Sequence, residues 1–436
     1  MNAYRDLRVA VLGCGSVGSQ VARLILEEGD ELAARVGARL TLVGIAVRDL
    51  DAPRDAELPR ELFTTDAERL VLDADVVVEL MGGIEPARSL IVRALEGGAD
   101  VVTANKALIA AHGPELRAAS EQVGAQLSYE AAVAGAIPII RPLEWSLAGD
   151  RITRVMGIVN GSTNYILDRM DRFGDTAEDA MRVAADLGFL EADPTLDVEG
   201  YDAAQKATIL ASIAFHTEVP VDKVHREGIR EITAEQIETA KNAGSVIKLL
   251  AVAERLSASD GTQGVSARVY PALISRDHPL AAVHEGKNAV FVEAEAAGEL
   301  MFYGAGAGGV ETASAVLGDL VSAARRHVVG GPGMLGSNHA ALPILPVGEV
   351  TTAYQVILEV RDQAGVLATI AGLLAQHGVS AESVEQSVPA DAEGTATLVI
   401  GTHRAREADL AAMVDDLRSS DVVTSVVSVL RREGNA

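Results

Sequence analysis

Three glycines near the start of the chain, Gly13, Gly15 and Gly18, stand in the spacing GxGxxG. The apolar run Leu7 to Leu12 precedes them, and Ser16 to Glu28 follows with the apolar spacing of a helix. In such a strand, turn and helix, the first glycine permits the turn and the second lets the backbone approach a pyrophosphate. The third lets the helix pack close to the sheet. This arrangement predicts a dinucleotide-binding domain.

The glycine spacing alone is weak evidence, because a chain with 41 glycines produces chance matches. Its context is stronger, since four further apolar runs alternate with helical segments. These runs are Leu40 to Val47, Asp75 to Leu80, Val101 to Thr103 and Gln126 to Tyr129. Alternating strands and helices predict an α/β fold with a doubly wound parallel sheet. We therefore expect a Rossmann-type domain over residues 1–136, with Ser16 and Val17 also at the cofactor.

Two further domains are predicted beyond residue 136. Helical segments and then strand-like runs over 137–327 indicate an α+β domain, whose last helix, Ala313 to Arg326, either closes it or returns to the first domain. Glycine and proline without periodicity over 328–350 indicate a linker. Residues 351–432 show strand, helix, strand, strand, helix, strand, that is, βαββαβ.

The composition describes an acidic protein, because 37 basic and 62 acidic residues give a net charge of −25. This charge makes nucleic acid and anionic membranes unlikely partners. It fits either a salt-adapted cytosol or a surface that keeps an abundant enzyme soluble. The single cysteine, Cys14, allows no intramolecular disulfide or thiolate zinc site. Without a secretory signal or a membrane-spanning apolar run, we expect a cytoplasmic protein.

The end of the second predicted strand bears on the choice of cofactor. An acidic side chain there usually binds the ribose of NAD, whereas this chain has Arg48. A guanidinium suits the 2′-phosphate of NADP. The neighbouring Asp49 leaves NAD open, and Arg48 is also compatible with a solvated turn. We expect NADP(H), with NAD(H) as the alternative.

Hydride transfer to or from a nicotinamide cofactor also requires a group that moves the hydroxyl proton of the substrate. The candidates are titratable side chains outside the first domain. Asp202 and Lys206 are four positions apart on the predicted helix Gly200 to Phe215, so the carboxylate can orient the ammonium. The same spacing is common in solvated salt bridges. Lys106, with Thr103 just before it, follows the fourth strand at the sheet edge where ligands bind.

A turn rich in carboxylates precedes this helix. Glu191 and Asp193 lie between Gly188 and Pro194, and Asp197 follows. These carboxylates suit a substrate ammonium group, or alternatively a polar loop that ends in a helix cap.

Six stretches make the chain resemble homoserine dehydrogenase over nearly its whole length. They are GCGSVG from Gly13, TANKALIA from Thr103, EAAVAGAIPII from Glu130, GIVNGSTNYIL from Gly157, GFLEADPTLDVEGYDAAQKATIL from Gly188, and FYGAGAGG from Phe302 followed by ETASAVLGD. The resemblance implies reversible NAD(P)-linked interconversion of L-homoserine and L-aspartate 4-semialdehyde, on the route to threonine and methionine.

The resemblance also implies roles for the titratable residues. Lys206 matches the proton donor, Asp202 a supporting carboxylate, and Lys106 a lysine close to cofactor and substrate. Glu191 matches the residue that binds the substrate amino group, and we group Asp197 with it at the substrate.

Glycines outside the first turn match positions that approach the cofactor. They are Gly161 and the turn Gly306 to Gly309, in which we single out Gly306 and Gly308. The chain departs from the family at Ala305 and Glu311, where the family usually has proline. These departures put the detail of cofactor enclosure in doubt and leave the reaction as expected.

A sodium ion is a further implication of the resemblance. The matching positions are Glu130, Val133, Gly135 and Ile137. A carboxylate with several backbone carbonyls suits a hard cation, since such ions prefer oxygen ligands. The alternative is a strand end followed by a packed loop that holds no ion.

The C-terminal element order resembles an ACT domain, a small module that binds amino acids and commonly pairs between subunits. Gly365 lies where a chain can approach a ligand at the N-terminus of the predicted helix Val366 to Gln376. The resemblance implies threonine as a feedback inhibitor and a homodimer or homotetramer. A dimerisation domain without a ligand is the alternative. We expect a truncation near Arg326 to lose inhibition by threonine.

Two other functions fit part of the sequence. A phosphorylating semialdehyde dehydrogenase needs a catalytic cysteine, but Cys14 lies inside the cofactor turn. A sensor of nucleotides and amino acids, in which the middle region only transmits, stays open. Loss of turnover in Lys206→Ala would favour the enzyme over the sensor.

Overall fold

The computed structural model describes residues 5–190, 193–331, 338–387 and 394–434. The helices are α1 (Ser16–Glu27), α2 (Gly29–Val36), α3 (Ala67–Leu70), α4 (Ala87–Glu96), α5 (Lys106–Val123), α6 (Gly161–Phe173), α7 (Ala177–Asp186), α8 (Thr195–Val198), α9 (Tyr201–Phe215), α10 (Ala234–Asn242), α11 (Gly309–Val329), α12 (Val366–Gln376) and α13 (Glu407–Arg418). The strands are β1 (Arg5–Leu12), β2 (Ala38–Ala46), β3 (Phe63–Thr64), β4 (Val76–Glu79), β5 (Asp100–Thr103), β6 (Leu127–Ser128), β7 (Ile152–Ile158), β8 (His225–Arg226), β9 (Ser245–Ser257), β10 (Gln263–Ser275), β11 (Lys287–Ala294), β12 (Gly298–Ala305), β13 (Thr351–Arg361), β14 (Ala381–Ser387), β15 (Thr395–Thr402), β16 (Ala405–Arg406) and β17 (Val423–Glu433).

The chain divides into two compact units. The first comprises Met1–Val159, Gln205–Val221 and Lys287–Ala341, and the second comprises Asn160–Ala204, Asp222–Gly286 and Leu342–Ala436. The domain boundaries predicted at residues 136, 327 and 350 stay predictions. Among the described residues, no helix is both long enough and apolar enough to cross a membrane.

A six-stranded parallel sheet forms the centre of the first unit. Its strand order is β3-β2-β1-β4-β5-β6. The strands β1 to β3 follow one another towards one edge of the sheet, and β4 to β6 follow one another towards the other edge. Each adjacent pair is parallel. This confirms the doubly wound sheet predicted from the five apolar runs. Ligands bind such sheets at the carboxyl ends of the strands near the reversal point, which here lies between β1 and β4.

Helix α11 packs against this sheet's helical layer. Ala313, Val316, Leu320 and Ala324 recur at helical spacing and are buried in one core with Val21 of α1. At its other end Arg326 forms an ion pair with the buried Asp100 of β5. Of the two places that the sequence left open for this helix, it occupies the one beside the first sheet. Its N-terminus thereby comes close to the glycine turn.

The first unit also contains three antiparallel strands, β7, β11 and β12. Strand β11 pairs with β7 on one side and with β12 on the other. In the second pairing Asn288 lies opposite Gly304. The strand-like runs Ala289 to Glu295 and Leu300 to Tyr303 of the sequence predict β11 and β12, whereas no such run predicts β7.

The second unit contains a long hairpin, β9 and β10, and the C-terminal ACT elements. β10 pairs in parallel with β17, which continues antiparallel through β13, β15 and β14. β8 and β16 are two-residue strands on β10 and β13. Buried side chains of β13 pack on those of α12 and α13, including Leu358, Ile370 and Leu410. The predicted βαββαβ order is confirmed, apart from the extra β16.

Candidate active site

The glycine turn follows β1 and is shaped by its own backbone contacts. Gly13 has a φ of 95°, a left-handed value that favours glycine, and a Cβ there would lie 2.7 Å from the carbonyl oxygen of Leu80. A Cβ at Gly18 would lie 2.2 Å from the carbonyl oxygen of Gly13. Both glycines are therefore required by the turn and by the packing of α1 on it.

Open space lies at the middle of the same turn. Gly15 and Ser16 are exposed, and a Cβ at Gly15 would meet no atom within 4 Å. Gly15 is the N-cap of α1, whose first turn carries no acidic residue and includes the half-buried Val17. Unoccupied N–H groups at a helix N-terminus attract anions. This part of the turn fits a pyrophosphate.

The late glycine turn lies beside the early one. A Cβ at Gly309 would lie 2.9 Å from the carbonyl oxygen of Ser16. Gly308, with a φ of 133°, is the N-cap of α11, and a Cβ on it would lie 2.2 Å from the Glu311 carboxylate. The structure thus brings Gly309, and with it the adjacent Gly308, to the cofactor turn. It also places the departure at Glu311 there.

A buried network fixes the loops after β4 and β5. The Thr103 hydroxyl donates to Glu79 at 2.6 Å and accepts the N–H of Asn105 at 3.0 Å. Asn105 in turn accepts the N–H of Leu108 and so caps α5. Lys106 is the first residue of α5 and is half-buried. Thr103 therefore shapes the loop, and Lys106 stands at the carboxyl edge of the sheet, as the sequence predicts.

The loop after β2 contains three arginines, Arg48, Arg54 and Arg60. Arg48 is exposed. Arg54, which sequence reasoning missed, lies 5.4 Å from the centre of the Phe63 ring and donates to the carbonyl oxygen of Asp49. Its buried Nε has no hydrogen-bond partner in the described part of the chain. Burial raises the pKa of the Cys14 thiol, and the positive charge of Arg54 partly opposes this shift.

Lys206 is held by the backbone. Its Nζ donates to the carbonyl oxygen of Val159 at 2.7 Å, and the side chain is half-buried on α9. This contact fixes the position of the ammonium at the end of β7. A lysine fixed in this way can present a proton to a substrate oxygen.

Asn160, which the sequence did not single out, organises two predicted carboxylates. Its Nδ2 donates to Asp197 at 2.6 Å and to Asp202 at 2.9 Å. Its Oδ1 accepts the N–H of Thr163 at 2.9 Å, so the same side chain caps α6, which begins at Gly161. An asparagine directly before a helical pattern is a capping signal, but the second contact is not visible in sequence.

The carboxylate-rich turn is anchored at its start. Phe189 stacks on Tyr165 of α6, with ring centres 4.8 Å apart, and its carbonyl oxygen accepts the Ser162 hydroxyl at 2.5 Å. Asp193 accepts the N–H of Thr195, the first residue of α8, at 3.1 Å, but the N-cap of this helix is Pro194. Glu191 lies outside the described residues.

The Glu130 carboxylate is fully used by the protein. One oxygen accepts the N–H groups of Ile139 and Ile140 at 2.6 and 2.7 Å. The other accepts the backbone and side-chain N–H groups of Arg141, both at 2.9 Å. The expected carboxylate ligand of sodium is therefore directed at four donors that hold the chain at 139–141. Only the main chain of Glu130 is left for an ion.

Buried carbonyls follow Glu130. In the described residues the carbonyl oxygens of Val133, Gly135 and Ile137 accept no hydrogen bond, although all three residues are buried. Buried carbonyls nearly always have partners. Oxygen atoms are the ligands of hard cations, so these positions fit a sodium ion through their backbone.

The chain combines a doubly wound sheet and an open glycine turn with lysine and carboxylate groups that follow later in the sequence. These features define the class of protein as an NAD(P)-dependent oxidoreductase. Family models match as homoserine dehydrogenase, NAD binding domain, over residues 13–130, homoserine dehydrogenase over 138–321, and ACT domain over 354–421.

Known proteins agree with these matches. A Mycobacterium tuberculosis homoserine dehydrogenase is 54% identical over 435 residues, covering 99% of this chain and 98% of the relative. The crystal structure of a homoserine dehydrogenase from Thiobacillus denitrificans superposes with a TM-score of 0.92 at 37% identity, covering 99% of both chains. A hyperthermophilic archaeal homoserine dehydrogenase in complex with NADPH has a TM-score of 0.61 at 28% identity, covering 75% of this chain and 99% of that one. The chain belongs to the homoserine dehydrogenase family.

Proposed function

We propose that the protein interconverts L-homoserine and L-aspartate 4-semialdehyde with NADP(H), in the biosynthesis of threonine and methionine. The observation that carries this proposal is the side chain of Asn160, which binds both Asp197 and Asp202. Lys206, one turn beyond Asp202 on α9, binds the carbonyl of Val159, the residue before Asn160. The carboxylates suit the ammonium group of homoserine, and the lysine suits its hydroxyl group.

Each residue then has a role. The Lys206 ammonium gives a proton to the aldehyde oxygen in reduction, and its neutral amine takes the hydroxyl proton in oxidation. Asp202 supports the site from the same helix, and Glu191 and Asp197 bind the substrate ammonium. Lys106 acts beside cofactor and substrate at the edge of the parallel sheet. The nicotinamide, when bound, exchanges the hydride.

NADP is the cofactor that the loop after β2 favours. Arg48 and Arg54 are two guanidinium groups within one short loop, and the Nε of Arg54 is buried without a partner in the described residues. A dianionic 2′-phosphate would accept from them, whereas the 2′-hydroxyl of NAD would leave them unneutralised. The archaeal relative solved with NADPH supports this choice. The glycines Gly15, Gly161, Gly306 and Gly308 are the positions of close approach.

A sodium ion belongs to the proposal as a structural cation. The backbone carbonyls of Glu130, Val133, Gly135 and Ile137 would hold it. Because the Glu130 carboxylate is engaged elsewhere, the ligands are neutral, which suits a monovalent ion. Its charge would stabilise the carbonyls of Val133, Gly135 and Ile137, which accept no hydrogen bond within the described part of the chain.

Threonine is the proposed effector of the ACT domain. Helix α12 begins directly after Gly365, whose φ is 96°, and no side chain of the described residues caps its N-terminus. Its first N–H groups are suited to an amino-acid carboxylate. A homodimer or homotetramer and a cytoplasmic location complete the proposal.

The test follows the absorbance of the reduced cofactor when the full chain oxidises L-homoserine with NADP⁺ or NAD⁺. We expect turnover with a preference for NADP⁺. Arg54→Gln should raise the KM for NADP⁺ about tenfold, the loss of one charge-assisted hydrogen bond, and leave that for NAD⁺ unchanged. Arg60→Gln, which removes an exposed arginine of the same loop, is the matched control. No turnover with either cofactor would refute the activity, and equal effects on both cofactors would refute the role of Arg54.

A further inference from the structure

An asparagine in β11 is buried with an unused amide. Asn288 is 1% exposed, and neither its Oδ1 nor its Nδ2 has a hydrogen-bond partner among the described residues. Buried side-chain amides are almost always hydrogen-bonded, so an amide with both ends unpartnered indicates a missing occupant. At this exposure the occupant is small, since a nicotinamide ring could not reach the group.

The sheet register shows which way Asn288 faces. It lies opposite Gly304 in the antiparallel pair of β11 and β12, and opposite residues present their side chains on the same face. A Cβ at Gly304 would lie 3.2 Å from Cγ1 of Ile137, so the loop that contains Ile137 covers this face. A Cβ at Gly306 would lie 2.1 Å from Cγ of Asn288. Glycine at 306 makes room for the amide.

The covering loop is fixed against the same strand. Gly135 has a φ of 58°, and a Cβ on it would lie 2.4 Å from the carbonyl oxygen of Gly306. The N–H of Ala136 donates to the carbonyl oxygen of Ala305 at 3.0 Å. The unpartnered carbonyls of Val133, Gly135 and Ile137 belong to this loop. Gly306 therefore contacts both the Asn288 amide and the loop that carries these carbonyls.

We infer that Asn288 is an additional ligand of the cation, binding it through Oδ1. This rests on the sodium ion of the proposed function and adds a side chain to its backbone ligands. A neutral amide oxygen together with neutral carbonyls selects a monovalent over a divalent ion, because divalent ions are usually held by carboxylates. A buried water is the competing occupant, and it would show no preference among cations.

The experiment measures thermal unfolding of the full chain in mixtures of sodium chloride and choline chloride at constant ionic strength. The midpoint of the wild type should rise with sodium, because an ion that binds only the folded state stabilises it. The quantity compared is the sodium concentration at which the midpoint has risen by half of its total change. Asn288→Leu should raise this concentration at least tenfold. Asn288→Asp, which supplies a charged oxygen, should lower it. Asn242→Leu changes an exposed asparagine at the end of α10 and should leave it unchanged.

The two inferences fail in different ways. A wild type whose midpoint does not respond to sodium overturns the cation site and the role of Asn288 with it. A sodium response that is identical in the wild type, Asn288→Leu and Asn288→Asp overturns only the role of Asn288 and leaves the backbone site standing. Because each variant is compared with itself in the two salts, a general loss of stability does not affect the result.

Discussion

Gly15 and Gly18 are separated by three positions but are glycines for different reasons. A side chain at Gly18 would collide with the backbone of Gly13, whereas a side chain at Gly15 would enter open space. The first constraint comes from folding. The second has no cause among the described residues, and we attribute it to the proposed cofactor.

Alanine at these two positions should separate stability from binding. Gly15→Ala should keep the thermal midpoint of the wild type and raise the KM for the cofactor at least tenfold, because the methyl group occupies the phosphate space. Gly18→Ala should lower the midpoint by several degrees, since backbone must move. Unfolding scans and initial rates measure both. A Gly15→Ala enzyme with normal cofactor KM would mean that the pyrophosphate does not lie there.

The residues that sequence reasoning missed share one property. Arg54, Asn160 and Asn288 act through partners far away in the chain or through the lack of one, and no local pattern encodes this. Glu130 shows the reverse case. Its place in a recognised stretch was visible, but the four N–H groups that occupy its carboxylate were not.

Among the elements, the sequence predicted those with a clear local signal. Helix α12 has the predicted ends, because Gly365 precedes an apolar run. Strand β9 was missed, since most of Ser245–Ser257 is continuously buried and such a run resembles a buried helix. The two residues of β3 are too few for any periodicity.

Helix α12 provides a test of the regulatory proposal. Gly365→Asp puts a carboxylate at the helix N-terminus, where it should repel the carboxylate of threonine and abolish inhibition. Gly261→Asp is the matched control, because this glycine also has a positive φ and open space. Titration of homoserine oxidation with threonine gives the result. Inhibition that persists unchanged in Gly365→Asp would contradict a site at this N-terminus.

Truncation of the chain near Arg326 would not test inhibition by threonine alone. It would remove β17, which pairs with β10, and would leave Glu227 without its ion pair to the largely buried Arg431. An effect on stability would then accompany any effect on regulation. Point variants in the full chain avoid this.

At the scale of the whole molecule, the acidic chain contains ion-paired arginines inside the second unit. The net charge of −25 is distributed over the chain, yet Arg268 and Arg431 are buried in the second unit. Arg268 pairs with Glu433 of β17 and Arg431 with Glu407 of α13. Removing one partner of such a pair is costly because it leaves a buried charge. The first pair joins β17 to β10, and the second joins β17 to α13.

The central claim is that Lys206 moves the proton during oxidation of L-homoserine. The most direct measurement compares kcat of the wild type, Lys206→Ala and the exposed-lysine control Lys223→Ala, with NADPH binding followed by fluorescence. The account predicts that Lys206→Ala loses 10²- to 10⁴-fold in kcat, the usual worth of a general acid or base, and binds NADPH normally. A Lys206→Ala enzyme that turns over homoserine as fast as the control would contradict it.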